Sequence, residues 1–222
     1  MGPRGPGRNL MLILLRHGQT TSNVDHKLDT LLPGAELTEL GREQAKAAGE
    51  EILGAYEVDR VISSLATRAK QTAQIGFGGR FSDIPAVDGI QEVHAGRWEM
   101  HNSREAHEQY LTAFRRFYRR ELEALIDGGD TLDLFLSRYK GGLLPYAAQE
   151  GTTVAVSHGG AIRAFAANAC EIDPGFAEAS YLPNCQYLVI DPAAGPTGDP
   201  VEDFGQWRVV RWAEYPLPGE SS

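Results

Sequence analysis

The sequence predicts an α/β fold, a three-layer α/β/α sandwich with a mostly parallel central sheet. Three observations support this fold. Short apolar segments alternate with helical patterns, these segments are apolar along their whole length, and polar residues separate each one from the helix that follows. Strands that are apolar on both faces are typical of parallel sheets covered by helices on both sides. The strand–helix alternation favours one such sheet over a helical bundle or an all-β fold.

The elements follow from the spacing of apolar residues. Short apolar or β-branched runs bounded by turn signals predict strands, and apolar residues three and four apart predict helices. Thr38 has the side chain expected of an N-cap. The predicted strands are residues 10–15, 59–63, 86–87, 153–157, 186–190 and 207–212. The predicted helices are residues 42–53, a helix from Ala66 to the glycines of 76–79, residues 102–126, a stretch from Thr131, and residues 161–169.

Composition excludes several classes of protein. A chain of 222 residues with 42% hydrophobic and 23% charged side chains fits one globular domain. Its longest apolar run, residues 10–15, is far shorter than the ~20 residues that a membrane-spanning helix needs. Arg16 and His17 interrupt that run, so it does not resemble the apolar region of a secretory signal. We therefore expect a cytoplasmic protein without a membrane partner.

Charge and cysteine content narrow the partners. A formal net charge of −9 argues against a nucleic-acid partner, because phosphate backbones are bound by an excess of Lys and Arg. The basic cluster within residues 114–120 is predicted to be the solvated face of an amphipathic helix, since acidic residues follow it directly. Cys170 and Cys185 form neither a closely spaced metal-binding pair nor a disulfide framework, and are predicted to be buried thiols.

Polar side chains gather where three predicted strands end. They are Arg16-His17-Gly18, the turn from Ser63 to Arg68, and Ser157-His158-Gly159. Because ligands bind beyond the carboxyl ends of strands in such sheets, we expect these segments to share one crevice. Arginine binds phosphate oxygens bidentately, and a neutral imidazole can attack phosphorus. A lone histidine is more often a structural side chain, but that explanation would have to hold separately at each strand end.

These residues and their order resemble the signature of the histidine phosphatase superfamily (branch 1, the phosphoglycerate mutase-like family). The first motif is Leu15-Arg16-His17-Gly18-Gln19-Thr20 with Asn23. The others follow in the expected order: Leu37-Thr38 with Gly41 and Gln44-Ala45, Ser63-Ser64 with Arg68-Ala69 and Gln71-Thr72-Ala73, Gln91-Glu92, and Val156-Ser157-His158-Gly159-Gly160. The resemblance extends over residues 10–188.

The resemblance implies a role for each matched residue. His17 matches the nucleophile that becomes phosphorylated, and Glu92 matches the general acid. The remaining catalytic residues that it implies are Arg16, Arg68 and His158, and the substrate-binding residues are Arg16, Gln19, Thr20, Ser22, Asn23, Arg68, His158 and Gly159. No metal and no cofactor are expected, because two arginines can neutralise the phosphoryl charge and no DxD or HExxH pattern occurs.

Two questions stay open: which carboxylate is the general acid, and what the departures from the family pattern change. Asp88 and Glu99 are also carboxylates, and only the resemblance selects Glu92 among the three. The sequence also departs from the family pattern at Met100, where glycine is usual, and at Asp130-Thr131, where Glu-Ser is usual. These departures predict a loop of different shape over the site.

We therefore expect a metal-independent phosphatase that hydrolyses a small phosphomonoester through a phosphohistidine. The expected domain is residues 10–215, between a flexible leader (1–9) and a flexible tail (216–222), with residues 94–150 as a helical cap insertion. Basic and aromatic residues within 97–120 favour a small phosphorylated metabolite that carries further negative charge. The alternatives are a phosphoglycerate mutase and a non-catalytic phospholigand-binding protein on the same fold. The oligomeric state stays open, although the apolar strand near the C terminus could support a homodimer.

Overall fold

The computed structural model describes residues 10–219, in which strands and helices alternate. The predicted leader and residues 220–222 of the predicted tail lie outside this range. The strands are β1 Leu10–Arg16, β2 Arg60–Ser64, β3 Ala86–Val87, β4 Gly151–Ser157, β5 Tyr187–Asp191 and β6 Arg208–Trp212. The α-helices are α1 Thr21–Val24, α2 Glu39–Ala55, α3 Thr67–Phe77, α4 Arg104–Tyr118, α5 Leu132–Ala147, α6 Gly159–Ala169 and α7 Pro174–Ala179. None of the helices within 10–219 is long and apolar enough to cross a membrane.

The six strands form one sheet in the order β3-β2-β4-β1-β5-β6. The first four in this order run parallel, and β5 and β6 add an antiparallel edge. In the central pair, Leu10 lies opposite Gly151 and Arg16 lies opposite Ser157. The chain therefore leaves β1 and β4 at the same level, and this brings His17 and His158 to one edge of the sheet.

Helices cover both faces of the sheet. In β1, Leu12 and Leu14 pack into the core formed with α4, α5, α6 and α7, whereas Ile13 and Leu15 pack into the core formed with α2 and α3. All four side chains are fully buried. The strand is apolar at every position because its two faces meet two different hydrophobic layers. The predicted α/β fold with a mostly parallel sheet is confirmed.

Close backbone contacts position α2 next to the end of β1. The helix begins with the predicted N-cap Thr38, whose hydroxyl accepts a hydrogen bond from the backbone N–H of Gly41 at 3.0 Å. A Cβ atom at Gly18 would overlap the carbonyl oxygen of Gly41. Glycine at position 18 therefore lets the chain that follows His17 lie directly against the first turn of α2.

The predicted helix over residues 102–126 is wrong over residues 119–126. The helix α4 ends at Tyr118, and Arg120 has a φ of 62° in the left-handed region. Beyond it, Ala124 and Ile126 are buried and Leu125 between them is exposed, which is the alternation of an extended chain. An isolated bridge between Leu125 and Thr131 completes the turn that precedes α5.

The segment predicted as a cap contains two helices with different environments. Several side chains of α5, among them Phe135 and Tyr139, are fully buried in the core next to the sheet. In contrast, Tyr110 and Phe114 of α4 line the cavity at the edge of the sheet. The boundaries of the cap stay a prediction, and α5 packs as a layer of the sandwich.

Candidate active site

Three of the polar residues at the strand ends, Arg16, His17 and Arg68, line one cavity of about 390 Å³. His17 lies at its base, directly after β1, and its backbone N–H donates to the carbonyl oxygen of Ser157 at 3.0 Å. Its side-chain Nδ1 lies 2.8 Å from the carbonyl oxygen of Gly18. Because a carbonyl only accepts, Nδ1 carries the proton and Nε2 keeps its lone pair. The sequence and the turn thus present a nucleophilic nitrogen to the cavity.

Arg68 joins the two histidines. It lies in the first turn of α3, and its Nε is 3.2 Å from His17 Nε2 and 3.3 Å from His158 Nδ1. The other ring nitrogen of His158, Nε2, lies 2.9 Å from Ser64 Oγ. The two rings are 5.2 Å apart in an edge-to-face arrangement. Both nitrogens that face the guanidinium accept from it, so neither carries a proton there.

The electrostatics of this cluster keep both histidines neutral. Burial is the main cause that holds the pKa of His17 well below its ordinary value of 6.5, and the charges of Arg68 and Arg16 act in the same direction. Burial also dominates for His158, whose pKa is lowered further by Arg68 and by the neighbouring His17. At pH 7 the cluster of His17, His158, Arg16 and Arg68 therefore combines two neutral imidazoles with two permanent positive charges.

The two arginines have hydrogen-bond donors to spare. Arg16 Nη1 donates to Tyr181 Oη at 2.7 Å and to the carbonyl oxygen of Leu182 at 2.6 Å, but its buried Nε has no partner among the described residues. Arg68 Nη1 is also buried without a hydrogen bond within 10–219, although Asp29 Oδ1 lies 3.6 Å away. Unpartnered buried N–H groups are costly, and a tetrahedral oxyanion would satisfy both.

Glu92 lies on the opposite wall of the cavity. Its Oε1 accepts from the backbone N–H of Val93 at 2.9 Å and of Ala161 at 2.6 Å, and its Oε2 accepts from Gly160 at 3.0 Å. Backbone N–H groups of Val93 and of the first turn of α6 thus hold the carboxyl group of Glu92 in place. Neither of the competing carboxylates lines the cavity. Asp88 accepts from Gly89 and Gln91, and Glu99 accepts from the backbone N–H groups of Thr30 and Leu31.

Arg138 of α5 fixes the backbone that carries Glu92. Its Nη2 donates to the carbonyl oxygen of Glu92 at 2.6 Å and to Asp130 Oδ2 at 2.7 Å. Its Nη1 donates to the carbonyl oxygens of Gly89 and Gln91 at 2.8 and 2.9 Å. One guanidinium therefore sets the path of residues 89–92, and Asp130 holds that guanidinium in place.

The other predicted binding residues take different positions. Gln19, Thr20 and Asn23 line the cavity, as do Arg16, His17, Arg68 and Glu92. Ser22 is buried in α1 and does not line it. Gly159 lies behind Arg16, since a Cβ at this position would be 3.0 Å from Arg16 Cδ. His158 contacts the site through Arg68 and His17.

Sequence reasoning missed several residues that line the cavity, among them Asp29, Arg163, Tyr181 and Asn184. Asn184 Nδ2 donates to the carbonyl oxygen of His17 at 3.0 Å and to Asn23 Oδ1 at 3.2 Å. Tyr181 and Asn184 reach the site because β5 pairs with β1, a contact for which the sequence has no local signal. For Arg163 the sequence did contain a local signal, because it is a charged residue within the otherwise apolar stretch of α6.

Of the basic and aromatic residues within 97–120 expected to favour a negatively charged metabolite, Tyr110, Phe114 and Tyr118 line the cavity, and the arginines do not. Arg97 pairs with Asp127 at 2.9 Å on the surface. Arg115 pairs with Glu178 at 2.8 Å, and its side chain is half-exposed. The cationic and histidine side chains that line the cavity besides the central cluster are His26, Lys27, His107 and Arg163. Within 10–219, no three His, Cys, Asp or Glu side chains form a group that could hold a metal ion.

The sequence is similar to those of known proteins over much of its length. The family model "Histidine phosphatase superfamily (branch 1)" matches residues 12–197. The chain is 32% identical over 151 residues to a 2,3-bisphosphoglycerate-dependent phosphoglycerate mutase of Caulobacter vibrioides, a match that covers 64% of this chain and 63% of that protein. It is 42% identical over 89 residues to a glucosyl-3-phosphoglycerate phosphatase of Mycobacterium tuberculosis, covering 40% and 39%. The matched region therefore spans less than two thirds of these curated relatives.

Solved structures show similarity over most of the chain. The structure titled "Mycobacterial hydrolase 1" superposes with a TM-score of 0.73 at 28% identity and covers 92% of this chain and 98% of its own. A native mycobacterial glucosyl-3-phosphoglycerate phosphatase superposes with a TM-score of 0.69 at 27% identity, with the same coverage.

Proposed function

Because the chain belongs to the histidine phosphatase superfamily (branch 1), we propose that it is a metal-independent phosphatase that hydrolyses a small phosphomonoester through a phosphohistidine on His17. One observation carries the proposal. The unprotonated Nε2 of a neutral His17 belongs to the same cavity lining as Arg16 and Arg68, each of which has a buried N–H group without a partner among the described residues. A nucleophile and an anion-binding set in one small cavity are what phosphoryl transfer to the protein needs.

In the first step, the lone pair of His17 Nε2 attacks phosphorus and a P–N bond forms while the ester P–O bond breaks. Arg16 and Arg68 bind the equatorial oxygens and stabilise the charge that spreads over them. The Nδ1 proton stays on His17 and keeps its hydrogen bond to Gly18, so the ring does not turn away. Glu92, in its protonated form, gives its proton to the departing oxygen, so that the product leaves as an alcohol.

In the second step, Glu92 is a carboxylate and acts as a base. It takes a proton from a water molecule as the water oxygen attacks phosphorus, the P–N bond breaks and inorganic phosphate leaves. His17 regains its lone pair and Glu92 regains its proton, so the cycle closes with one water consumed. Gln19, Thr20 and Asn23 line the phosphate end of the cavity and orient the group that is transferred. His158 keeps Arg68 in position through the 3.3 Å hydrogen bond.

The proposal is tested by phosphate release from p-nitrophenyl phosphate in the presence of EDTA. We expect the parent to be active under chelation and His17→Ala to lose at least about a thousandfold in kcat, because removal of a nucleophile abolishes the covalent route. The matched control is His101→Ala, a histidine that is exposed, packs against Trp98 and does not line the cavity. Equal activity in the parent and His17→Ala would contradict the proposal, as would activity that EDTA removes.

A phosphoglycerate mutase is the second candidate, and the 32% identity to the mutase of Caulobacter vibrioides favours it. Both reactions share the phosphohistidine, but a mutase returns the phosphoryl group to a bound sugar acid whereas a phosphatase gives it to water. Incubation with 3-phosphoglycerate distinguishes them. Formation of 2-phosphoglycerate without net phosphate release supports the mutase, and phosphate release supports the phosphatase. Tight phosphate binding without either reaction would indicate a non-catalytic binding protein.

A further inference from the structure

Arg163 is the charged residue of α6, and the proposed chemistry does not use it. Its side chain lines the cavity, although the residue is only 8% exposed. Nη2 donates to the carbonyl oxygens of Ala177 and Glu178 at 2.8 and 2.9 Å, at the end of α7. Nε is buried and has no hydrogen-bond partner among residues 10–219. A side chain that lines the cavity thus keeps one buried, unsatisfied donor.

The positive charge of Arg163 also has no counter-ion among residues 10–219. None of the ion pairs within the described part of the chain includes it. The carboxylate of Glu178, whose carbonyl Arg163 contacts, pairs instead with Arg115 at 2.8 Å. The rings of Tyr118 and Tyr181 lie 5.2 and 6.0 Å from the guanidinium carbon and compensate part of the charge. A buried charge without an anion is costly, so this position favours an anionic ligand.

Tyr181 connects this position to the phosphate end of the cavity. The guanidinium carbon of Arg16 is 5.5 Å from the centre of the Tyr181 ring, and that of Arg163 is 6.0 Å from the same centre. The Tyr181 hydroxyl also accepts a hydrogen bond from Arg16. Neither buried arginine pairs with a carboxylate within the described range, and the Tyr181 ring lies near both. The Tyr181 ring would therefore lie between an anion bound to Arg163 and a phosphoryl group bound to Arg16.

We propose that Arg163 binds a carboxylate on the leaving group of the substrate, so that the protein selects phosphorylated acids over neutral phosphomonoesters. This inference rests on the proposed function and names the substrate class for the same cavity. A carboxylate fits better than a second phosphoryl group because Arg163 offers one charge and one open buried donor. The phosphoryl end, in contrast, combines His17 with two arginines, Arg16 and Arg68.

Two matched substrate pairs test the proposal, because the members of each pair differ at the carboxylate. They are 3-phosphoglycerate with glycerol 3-phosphate, and O-phosphoserine with O-phosphoethanolamine. We expect the parent to have the higher kcat/KM for the acid in both pairs. In Arg163→Gln the ratio of acid to neutral kcat/KM should fall by about 10- to 100-fold, the usual effect of losing a buried charged hydrogen bond. Arg163→Lys keeps the charge and should recover part of the ratio.

The matched control is Arg116→Gln, which removes one positive charge from α4 outside the cavity and should leave both ratios unchanged. A purely structural role for Arg163, through its hydrogen bonds to the end of α7, would lower kcat/KM for both members alike. An unchanged ratio in Arg163→Gln would therefore overturn the proposal, as would a parent that has no preference for the acids.

Calorimetric titration separates this inference from the proposed function. Binding of 3-phosphoglycerate and glycerol 3-phosphate to the parent and to Arg163→Gln needs no turnover. Selective binding of the acid that depends on Arg163, without any hydrolysis, would support the carboxylate site and contradict the phosphatase. Hydrolysis of p-nitrophenyl phosphate with no selectivity for either acid would support the phosphatase and contradict the carboxylate site.

Discussion

The substitution Arg138→Met should reduce both stability and turnover, although Arg138 does not line the cavity. It removes three hydrogen bonds to carbonyl oxygens of residues 89–92 and one ion pair to Asp130. The Arg138 and Asp130 side chains are only 22% and 9% exposed, so water replaces these contacts poorly. Methionine keeps much of the side-chain volume and removes the charge.

The size of the effect follows from these contacts. Breaking a buried ion pair by removing one partner costs about 3–5 kcal/mol, and the partial exposure of Arg138 places it near the lower end. For a domain of this size, about 3 kcal/mol lowers the melting temperature by roughly 6–12 °C. The catalytic effect is separate. A displacement of the Glu92 carboxylate by about 1 Å would lower kcat by about a hundredfold.

Thermal unfolding and p-nitrophenyl phosphate hydrolysis at 25 °C measure the two effects on the same preparation. The control is Arg104→Met on α4, whose pair with Glu108 is largely exposed and should contribute little. If Arg138→Met melts within about 2 °C of the parent, the guanidinium does not stabilise residues 89–92 as argued. If it melts lower but retains the parent kcat, Arg138 does not position Glu92.

Three further predictions concern protonation, proton transfer and helix packing. The pKa values of His17 and His158 are held well below 6.5 in the folded protein. At a pH between these lowered pKa values and 6.5, the unfolded chain therefore binds more protons than the folded protein. The free energy of unfolding should therefore fall as the pH drops through 6.5, and urea unfolding at pH 7.5 and 5.5 measures it; a rise would contradict the buried, neutral state. Glu92→Gln should lower kcat by about a hundred- to ten-thousandfold and let a phosphoenzyme accumulate from p-nitrophenyl phosphate, which needs little help from an acid. A rapid-quench measurement of the burst tests this accumulation, and unchanged turnover would exclude Glu92 as the general acid. Gly49→Ala should destabilise the protein by about 2 kcal/mol or more, since its Cβ would overlap the carbonyl oxygen of Gly76. Gly54→Ala, on the same helix with open space around it, should stabilise it by about 0.5–1 kcal/mol. Urea unfolding compares the two, and equal stabilities would contradict the close packing of α2 on α3.

The fold could be predicted because local patterns and global packing agree in this chain. The run from Leu10 to Leu15 is apolar on both faces, and this already implies two helical layers. The helical pattern of apolar residues gave the wrong prediction after Tyr118. Ala124 and Ile126 continue the apolar spacing, but over a few residues such spacing is compatible with a helix and with an extended chain. Tertiary contacts decide there, because both side chains pack into the core next to the sheet.

The site could be predicted only as far as the strand ends define it. Arg16, His17 and His158 follow directly from the rule that ligands bind at the carboxyl ends of parallel strands. Arg163 and Tyr181 reach the cavity from a helix interior and from a segment before an antiparallel strand, where no such rule applies. The choice of Glu92 over Asp88 needed the resemblance at first, and the hydrogen bonds to Gly160 and Ala161 now give it a physical basis.

The central claim is that His17 Nε2 carries the phosphoryl group during turnover. The most direct test is to mix the protein with p-nitrophenyl phosphate, quench it in alkali, and map the modified peptide by mass spectrometry. The account predicts one phosphoryl group on the peptide that contains His17, stable in alkali and lost in acid, as expected for a P–N bond. It also predicts that Glu92→Gln increases the label and that His17→Ala abolishes it. Phosphate release without a labelled intermediate in the parent and in Glu92→Gln would contradict the account, as would a label on any other residue.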